Sequence, residues 1–188
     1  MRWTVHGERA IYQSEWMDVV LTDVEVPEVA GRPSERFEHH VVRSAPAAGA
    51  VVVDVIDGVP SVLLLWRHRF ITDSWGWEIP AGGIDGDEPS LDAALREVLE
   101  ESGWEVGGEV GTIEHLIDYF PVNGLSDKRF DLYLARGARH VGDPADPSES
   151  ERIEWLPLER LRDEIAADNI RDGFSLTALL WCLAFDLI

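Results

Sequence analysis

Glu97, Glu100 and Glu101 lie in "REVLEES", and spacings of three and four bring side chains together on a helix. A turn of about 100° per residue gathers the three into an arc of about 100°. Like charges so placed repel by a few tenths of a kcal/mol. The only nearby cation in the helix, Arg96, stands at the edge of the patch. Solvation is the ordinary fate of a charged helix face, but a solvated face usually mixes signs, and nothing in this helix neutralises the three. A hard divalent cation would: Mg²⁺ or Mn²⁺ takes carboxylate oxygens, keeps several waters and binds substrate phosphates at the same time. Just upstream, "AGGIDGDE" is a glycine-rich loop whose backbone carbonyls suit such an ion, although Gly82 and Gly83 would serve a plain turn equally well. Asp85, Asp87 and Asp92 read as loop and helix-start acids, favourable near a helix N-terminus.

These carboxylates need a scaffold, and the helix wheel assigns Leu91, Leu95, Val98 and Leu99 to the core-facing stripe. Residues 1–43 alternate strand-like runs ("RAIYQ", "MDVVLTDVEV", "RFEHHVVR") with turn material, which predicts a small antiparallel unit. Residues 44–188 form the expected main domain. In it, "AGAVVVDVIDGVPSVLLLWRHRF" predicts two buried strands joined at "DGVP", and "WGWEIPAGG" a short strand ending at Pro80. Two β-rich runs follow the acidic helix, then a polar loop, the strand "RIEWLPL", and helices near 157–167 and 174–187.

A chain of 188 residues suits one main core. Its 16 basic and 36 acidic residues leave a net charge of -20, which argues against nucleic acid as a partner, because that binding relies on neutralising phosphates with Lys and Arg. The N-terminus lacks the apolar run of a signal peptide, and the longest apolar stretch, "LTALLWCLAFDLI", is too short to span a bilayer. A cytoplasmic protein with no membrane partner is expected. The single cysteine, Cys182, sits among apolar residues at helical spacing and reads as a core thiol. His39 and His40 are adjacent on a strand, point to opposite faces, and so make no two-histidine metal site.

Gly82, five residues, Glu88, seven residues and then "REVLEESGW" resembles the Nudix box, with Trp104 where an aliphatic residue is usual. The resemblance implies an α/β fold, the α/β/α sandwich with a mixed sheet, here preceded by the N-terminal antiparallel unit. It implies metal-dependent hydrolysis of a nucleoside diphosphate linked to another group, with Mg²⁺ as cofactor and Mn²⁺ as the alternative. By motif position Glu97, Glu100 and Glu101 would hold the metal together with the backbone carbonyl of Ala81. Arg96 and Glu88 would orient the cluster. A protein at -20 should repel a diphosphate, so the acidic site becomes a binding site only when cations make it locally positive.

Beyond the box the chain is most similar to the ADP-ribose pyrophosphatase branch, which implies ADP-ribose as substrate and AMP with ribose 5-phosphate as products. In "LLLWRHRFITDSWGWEIPAGGID", Arg69 and Glu78 match that branch's Arg and Glu, Arg67 stands where Gln is usual, and all three are candidate substrate contacts. Arg69 at a strand end could grip a diphosphate as a fork. The N-terminal unit resembles the segment these enzymes exchange between two subunits, which implies a homodimer, with Trp3, Tyr12 and Trp16 as stacking or packing residues. "YFPVNGLSDKRFDLYLA" resembles the branch's loop before a strand, with Asn123 and Lys128 in place of the usual Pro and Glu. Glu151, then Glu149, in the polar loop is the candidate general base. Another nucleoside diphosphate sugar, a damaged nucleoside triphosphate, or a nucleotide-sensing module without turnover are the alternative readings.

Overall fold

A computed structural model describes all residues, Met1–Ile188. Two compact units emerge from the contacts: Met1–Ala45 with Phe120–Arg129, and Pro46–Tyr119 with Phe130–Ile188. The first is a three-stranded antiparallel sheet of β1 (Thr4–Gln13), β2 (Asp18–Val26) and β3 (Glu35–Arg43), with β2 in the middle. The inserted segment is bound to it where the Val42 N–H donates to Leu125 O at 2.8 Å, and where Arg43 pairs with Asp127 at 2.9 Å. Trp3 packs edge-on against Phe37 at 5.8 Å, while Trp16 is 80% exposed.

The second unit is built on a seven-stranded mixed sheet. Its path runs β12 (Arg152–Pro157), β5 (Val59–Arg69), β4 (Ala47–Ile56), β10 (Phe130–Arg136) and β9 (Thr112–Tyr119), with β6 (Ser74–Glu78) on β5 and β7 (Ala81–Gly83) on β4. Only β4 and β10 run parallel. β4 and β5 are joined by Asp57 and Gly58, both at positive φ (49° and 82°), the geometry of a tight hairpin that matches strand twist. Short strands β8 (Trp104–Val106) and β11 (Ala138–His140) make a two-stranded ribbon. β7, β8 and β11 are too short to show as strands in the hydropathy pattern.

Helices cover both faces of this sheet, and the period-two pattern of β4 shows how. Ala48, Ala50 and Val52 pack with Leu63 against α1 (Ser90–Ser102). Val51 and Val53, pointing the other way, join Leu64, Leu132 and Leu134 under α3 (Gly173–Ala184) and α2 (Leu158–Ala166). The result is the expected α/β/α sandwich, and a strand apolar on both sides is its natural centre. Cys182 is fully buried in the α3 layer and its thiol is pushed up to about 11 by that burial, as a core thiol should be.

One expectation fails here. Leu91 and Leu99 are 36% and 43% exposed, whereas the buried residues of α1 are Ala93, Ala94, Val98, Glu101 and Ser102. The buried arc is turned about a quarter of the helix circumference away from the leucine stripe. Small side chains on both elements, Ala93 and Ala94 against Ala48 and Ala50, permit a close approach along that line. The rotation carries the carboxylate side of the helix toward the sheet.

Candidate active site

That rotation sets the environment of each glutamate. The Glu101 side chain is 7% exposed and Glu97 12%, while Glu100, one step further round, is 48% exposed. α1 starts after Pro89 without a side-chain cap and ends at Gly103, in the left-handed region at φ 73°, whose N–H donates to Leu99 O at 2.9 Å. A side chain at Gly103 would also collide with the Gly142 carbonyl, so the terminal glycine of the motif has two physical reasons. Gly82 has a different one: a Cβ there would overlap the Glu97 carboxylate. The glycine is what lets β7 lie against the acidic side of α1.

Two arginines divide the carboxylates between them. Arg96 donates to Glu97 at 2.7 Å, to Glu100 at 3.1 Å, to Glu88 at 3.0 and 3.1 Å, and to the Gly83 carbonyl at 2.9 Å. It is therefore the hub of the patch rather than a residue at its edge. Arg67, on β5, is 5% exposed; it donates to Glu101 at 2.7 Å and to the Ser150 hydroxyl at 2.9 and 3.3 Å. The patch is thus neutralised partly from within the helix and partly from the sheet, contrary to the reading of α1 alone. Arg67, expected to face substrate, is instead committed to Glu101, because its strand position points it inward at the buried end of the helix.

Burial and charge shift these groups in readable directions. Glu101 is pushed up to about 7 by burial, against the lowering effects of Arg67 and of the Ala81 N–H, which donates to it at 2.8 Å. Glu97 is raised by burial, offset by Arg96, and raised further by the charges of Glu100 and Glu149. Glu88 is held below its ordinary value by Arg96.

The remaining candidates fall on two sides. Arg69 donates to the buried Glu78 at 2.9 Å while staying half exposed, and both line a cleft of 470 Å³, within the range of small-ligand sites. Glu78 and Ala81 lie three residues apart on the chain, so the cleft and the carboxylate patch share one backbone segment. In the polar loop, Glu149 and Glu151 are both exposed; Glu149 acts electrostatically on Glu97, whereas Glu151 is anchored by its N–H to Trp66 O at 2.9 Å. Ser150 between them is tied to Arg67, a link that only the fold reveals.

The donor set is all oxygen and suits a hard divalent ion, with Gly82 clearing the space that Glu97 uses. No three acidic or imidazole side chains converge on one point, since the arginines draw Glu97 and Glu100 one way and Glu101 the other.

The NUDIX domain family matches residues 43–175, a span that holds the helix, the glycine loop and the whole sheet. The chain belongs to the Nudix family. It is a Nudix-type pyrophosphohydrolase. A similar protein is the CMP-5'-(N-acetyl-N-hydroxy-3-aminopropyl)phosphonate hydrolase of Streptomyces rubellomurinus, 37% identical over 178 residues, covering 95% of this chain and 78% of that one. The ADP-ribose pyrophosphatase of Mycobacterium tuberculosis is 30% identical over 136 residues, 70% of this chain and 63% of that protein. A solved structure described as an ADP compounds hydrolase shares the fold, with a TM-score of 0.78 at 17% identity, covering 98% of this chain and 94% of that one. Nudix hydrolases generally use divalent metals, in keeping with the oxygen-rich donor set.

Proposed function

We propose that this Nudix enzyme hydrolyses, with Mg²⁺ or Mn²⁺, the phosphorus anhydride of a nucleoside diphosphate joined to another group, with ADP-ribose, cleaved to AMP and ribose 5-phosphate, as first substrate. The observation that carries the reading is the carboxylate patch of Glu97, Glu100 and Glu101 beside the Ala81 backbone, sharing a chain segment with the arginine-lined cleft. These four residues would hold the cation, which supplies Lewis acidity and positive charge at the phosphates. Arg96 and Glu88 hold Glu97 and Glu100 in place. Arg69, oriented by Glu78, keeps donors free for a phosphate oxygen. Water adds to phosphorus, the bridging P–O bond breaks, and a loop carboxylate takes the proton. Glu149 now ranks before Glu151 for that task, since its charge already acts on Glu97.

A second reading has its own support. The relative that matches 95% of this chain is named for a CMP-linked phosphonate, and this chain keeps Asn123 and Lys128 where the ADP-ribose branch has Pro and Glu. Both substrates present a nucleotide joined through phosphorus to a second acidic group. Incubation of the purified chain with Mg²⁺ and a panel of ADP-ribose, other nucleoside diphosphate sugars, a CMP-linked phosphonate and nucleoside triphosphates, with products read by mass spectrometry, tests the proposal. AMP from ADP-ribose is the expected result. Release of pyrophosphate from triphosphates alone, or binding of the whole panel without product, would sink it. A homodimer and a cytoplasmic location belong to the same proposal, checked by light scattering and by fractionation.

A further inference from the structure

The backbone from Glu78 to Ala81 joins the cleft to the carboxylate patch, and a helix outside the motif holds it. β6 has one strand partner, β5, so the amides along its other edge need acceptors from elsewhere. The Trp77 N–H donates to Asn169 O at 2.7 Å, and the Ile79 N–H, two residues on, donates to the Ser175 hydroxyl at 3.0 Å. The first acceptor lies between α2 and α3, the second in the first turn of α3. Pro80 has no N–H, and its carbonyl accepts from the Ala50 N–H at 3.1 Å. The Ala81 N–H then donates to Glu101 at 2.8 Å. Of these four partners only Ser175 and Glu101 act through side chains, so only they can be changed without altering the backbone.

Ser175 is fully buried, and its hydroxyl is held in one orientation. Asp172, the N-cap of α3, accepts both the Ser175 N–H and the Ser175 hydroxyl, each at 2.8 Å. The hydroxyl proton is thereby committed to Asp172, which leaves a lone pair for Ile79. The packing around this bond is close: a side chain at Gly49 would strike Ala81, Pro80 and the ring of Phe174, the neighbour of Ser175. Ile79 is itself buried, so an unpartnered N–H there would be costly. The two residues are 96 positions apart, and Ser175 lies far outside the motif that carries the glutamates.

We propose that Ser175, oriented by Asp172, is a positioning residue for the cation site. It fixes the Ile79 N–H, and with it the span that ends in the Ala81 carbonyl. The inference rests on the reading of Glu97, Glu100, Glu101 and Ala81 as the residues that hold the cation. Planar peptide groups between Ile79 and Ala81 would transmit a displacement of one to the other.

Calorimetric titration with Mg²⁺ alone, at a temperature where melts show each chain folded, tests it without turnover. Ser175→Ala should weaken Mg²⁺ binding by about 10–100-fold, the cost of losing a group that orients a metal ligand. Leu179→Ala, a fully buried change in the same helix, should lower Tm yet leave Mg²⁺ affinity within about twofold. Should Ser175→Ala not fold, Ser175→Cys, which fills the same space with a weaker acceptor, takes its place with a loss in the same direction. Undiminished Mg²⁺ affinity in the Ser175 variant, or an equal loss in Leu179→Ala, would overturn the assignment. A wild type that binds no Mg²⁺ would overturn it together with the cation site. If the wild type cleaves ADP-ribose and the Ser175 variant keeps its Mg²⁺ affinity, the inference fails while the function stands. Loss of affinity in the Ser175 variant of a chain that cleaves none of the panel would keep the positioning role and remove the proposed reaction.

Discussion

Arg96 and Arg67 serve the same row of carboxylates from opposite environments. Arg96 keeps 27% of its side chain in solvent and spreads its donors over three acids and a carbonyl. Arg67 is all but buried, with one carboxylate and one hydroxyl as partners. The first resembles a surface network, in which each contact is worth little and the loss of one is shared by the rest. The second is a buried ion pair, in which removal of either partner strands a charge away from water. One helix therefore carries an adaptable end and a rigid end, and the glutamates along it should answer mutation differently.

The largest expected effect falls on activity. Glu100→Gln should lower kcat by about 10²–10³-fold, the cost of removing one charge-stabilising group at a reacting phosphate. Its Tm should stay within about 2 °C of the wild type, because Glu100 is exposed and only shares Arg96. Near-normal turnover would refute its place among the metal ligands. Glu101→Gln is not an equivalent variant, since it leaves buried Arg67 without its counter-charge and should cost stability as well.

Next in size is Arg67→Met, expected to destabilise by about 3 kcal/mol at pH 8 and to lower Tm by roughly 10 °C. The loss should shrink at pH 5, where Glu101 can be protonated. Thermal melts at both pH values check this, and equal losses would mean that the pair is not the cause.

The wild type without divalent ions should show a milder trend of the same origin. Because the folded pKa of Glu101, about 7, lies above the ordinary 4.5, its contribution to stability is whole below about pH 4.5 and is lost as pH rises to about 7. Glu97 shifts in the same direction. Added Mg²⁺ should restore stability above pH 7 by binding the ionised carboxylates. Melts from pH 5 to 8 in EDTA and in Mg²⁺ measure the difference, and curves that coincide would remove the link between burial and cation.

Arg96→Ala should lower stability by only about 1 kcal/mol, roughly 3 °C in Tm and well short of Arg67→Met, on account of its solvent contact. A loss as large as that of Arg67→Met would erase the distinction between the two ends of α1.

Much of this site was legible before the fold. Arg96, Glu97, Glu100 and Glu101 stand at motif spacing along one helix, with Glu88 just before it, and such spacing is a local property that tertiary context cannot rearrange. The β4–β5 hairpin was legible for the same reason, through two apolar runs around Asp57–Gly58. The link from Ser150 to Arg67 was not, because the two are 83 residues apart in sequence and meet only through the pairing of β12 with β5.

What the amino-acid order determined by itself is the chemistry available: an acidic helix, a glycine loop next to it, and the family to which that pattern belongs. Which way the helix faces was decided only in the tertiary structure. Four apolar side chains favoured one orientation, but the alanines of α1 and β4 allow closer packing along another line, and close packing outweighs the exposure of two leucines. That choice buries Glu101 and places it within reach of Arg67. A helix wheel alone would have left the same carboxylate in water.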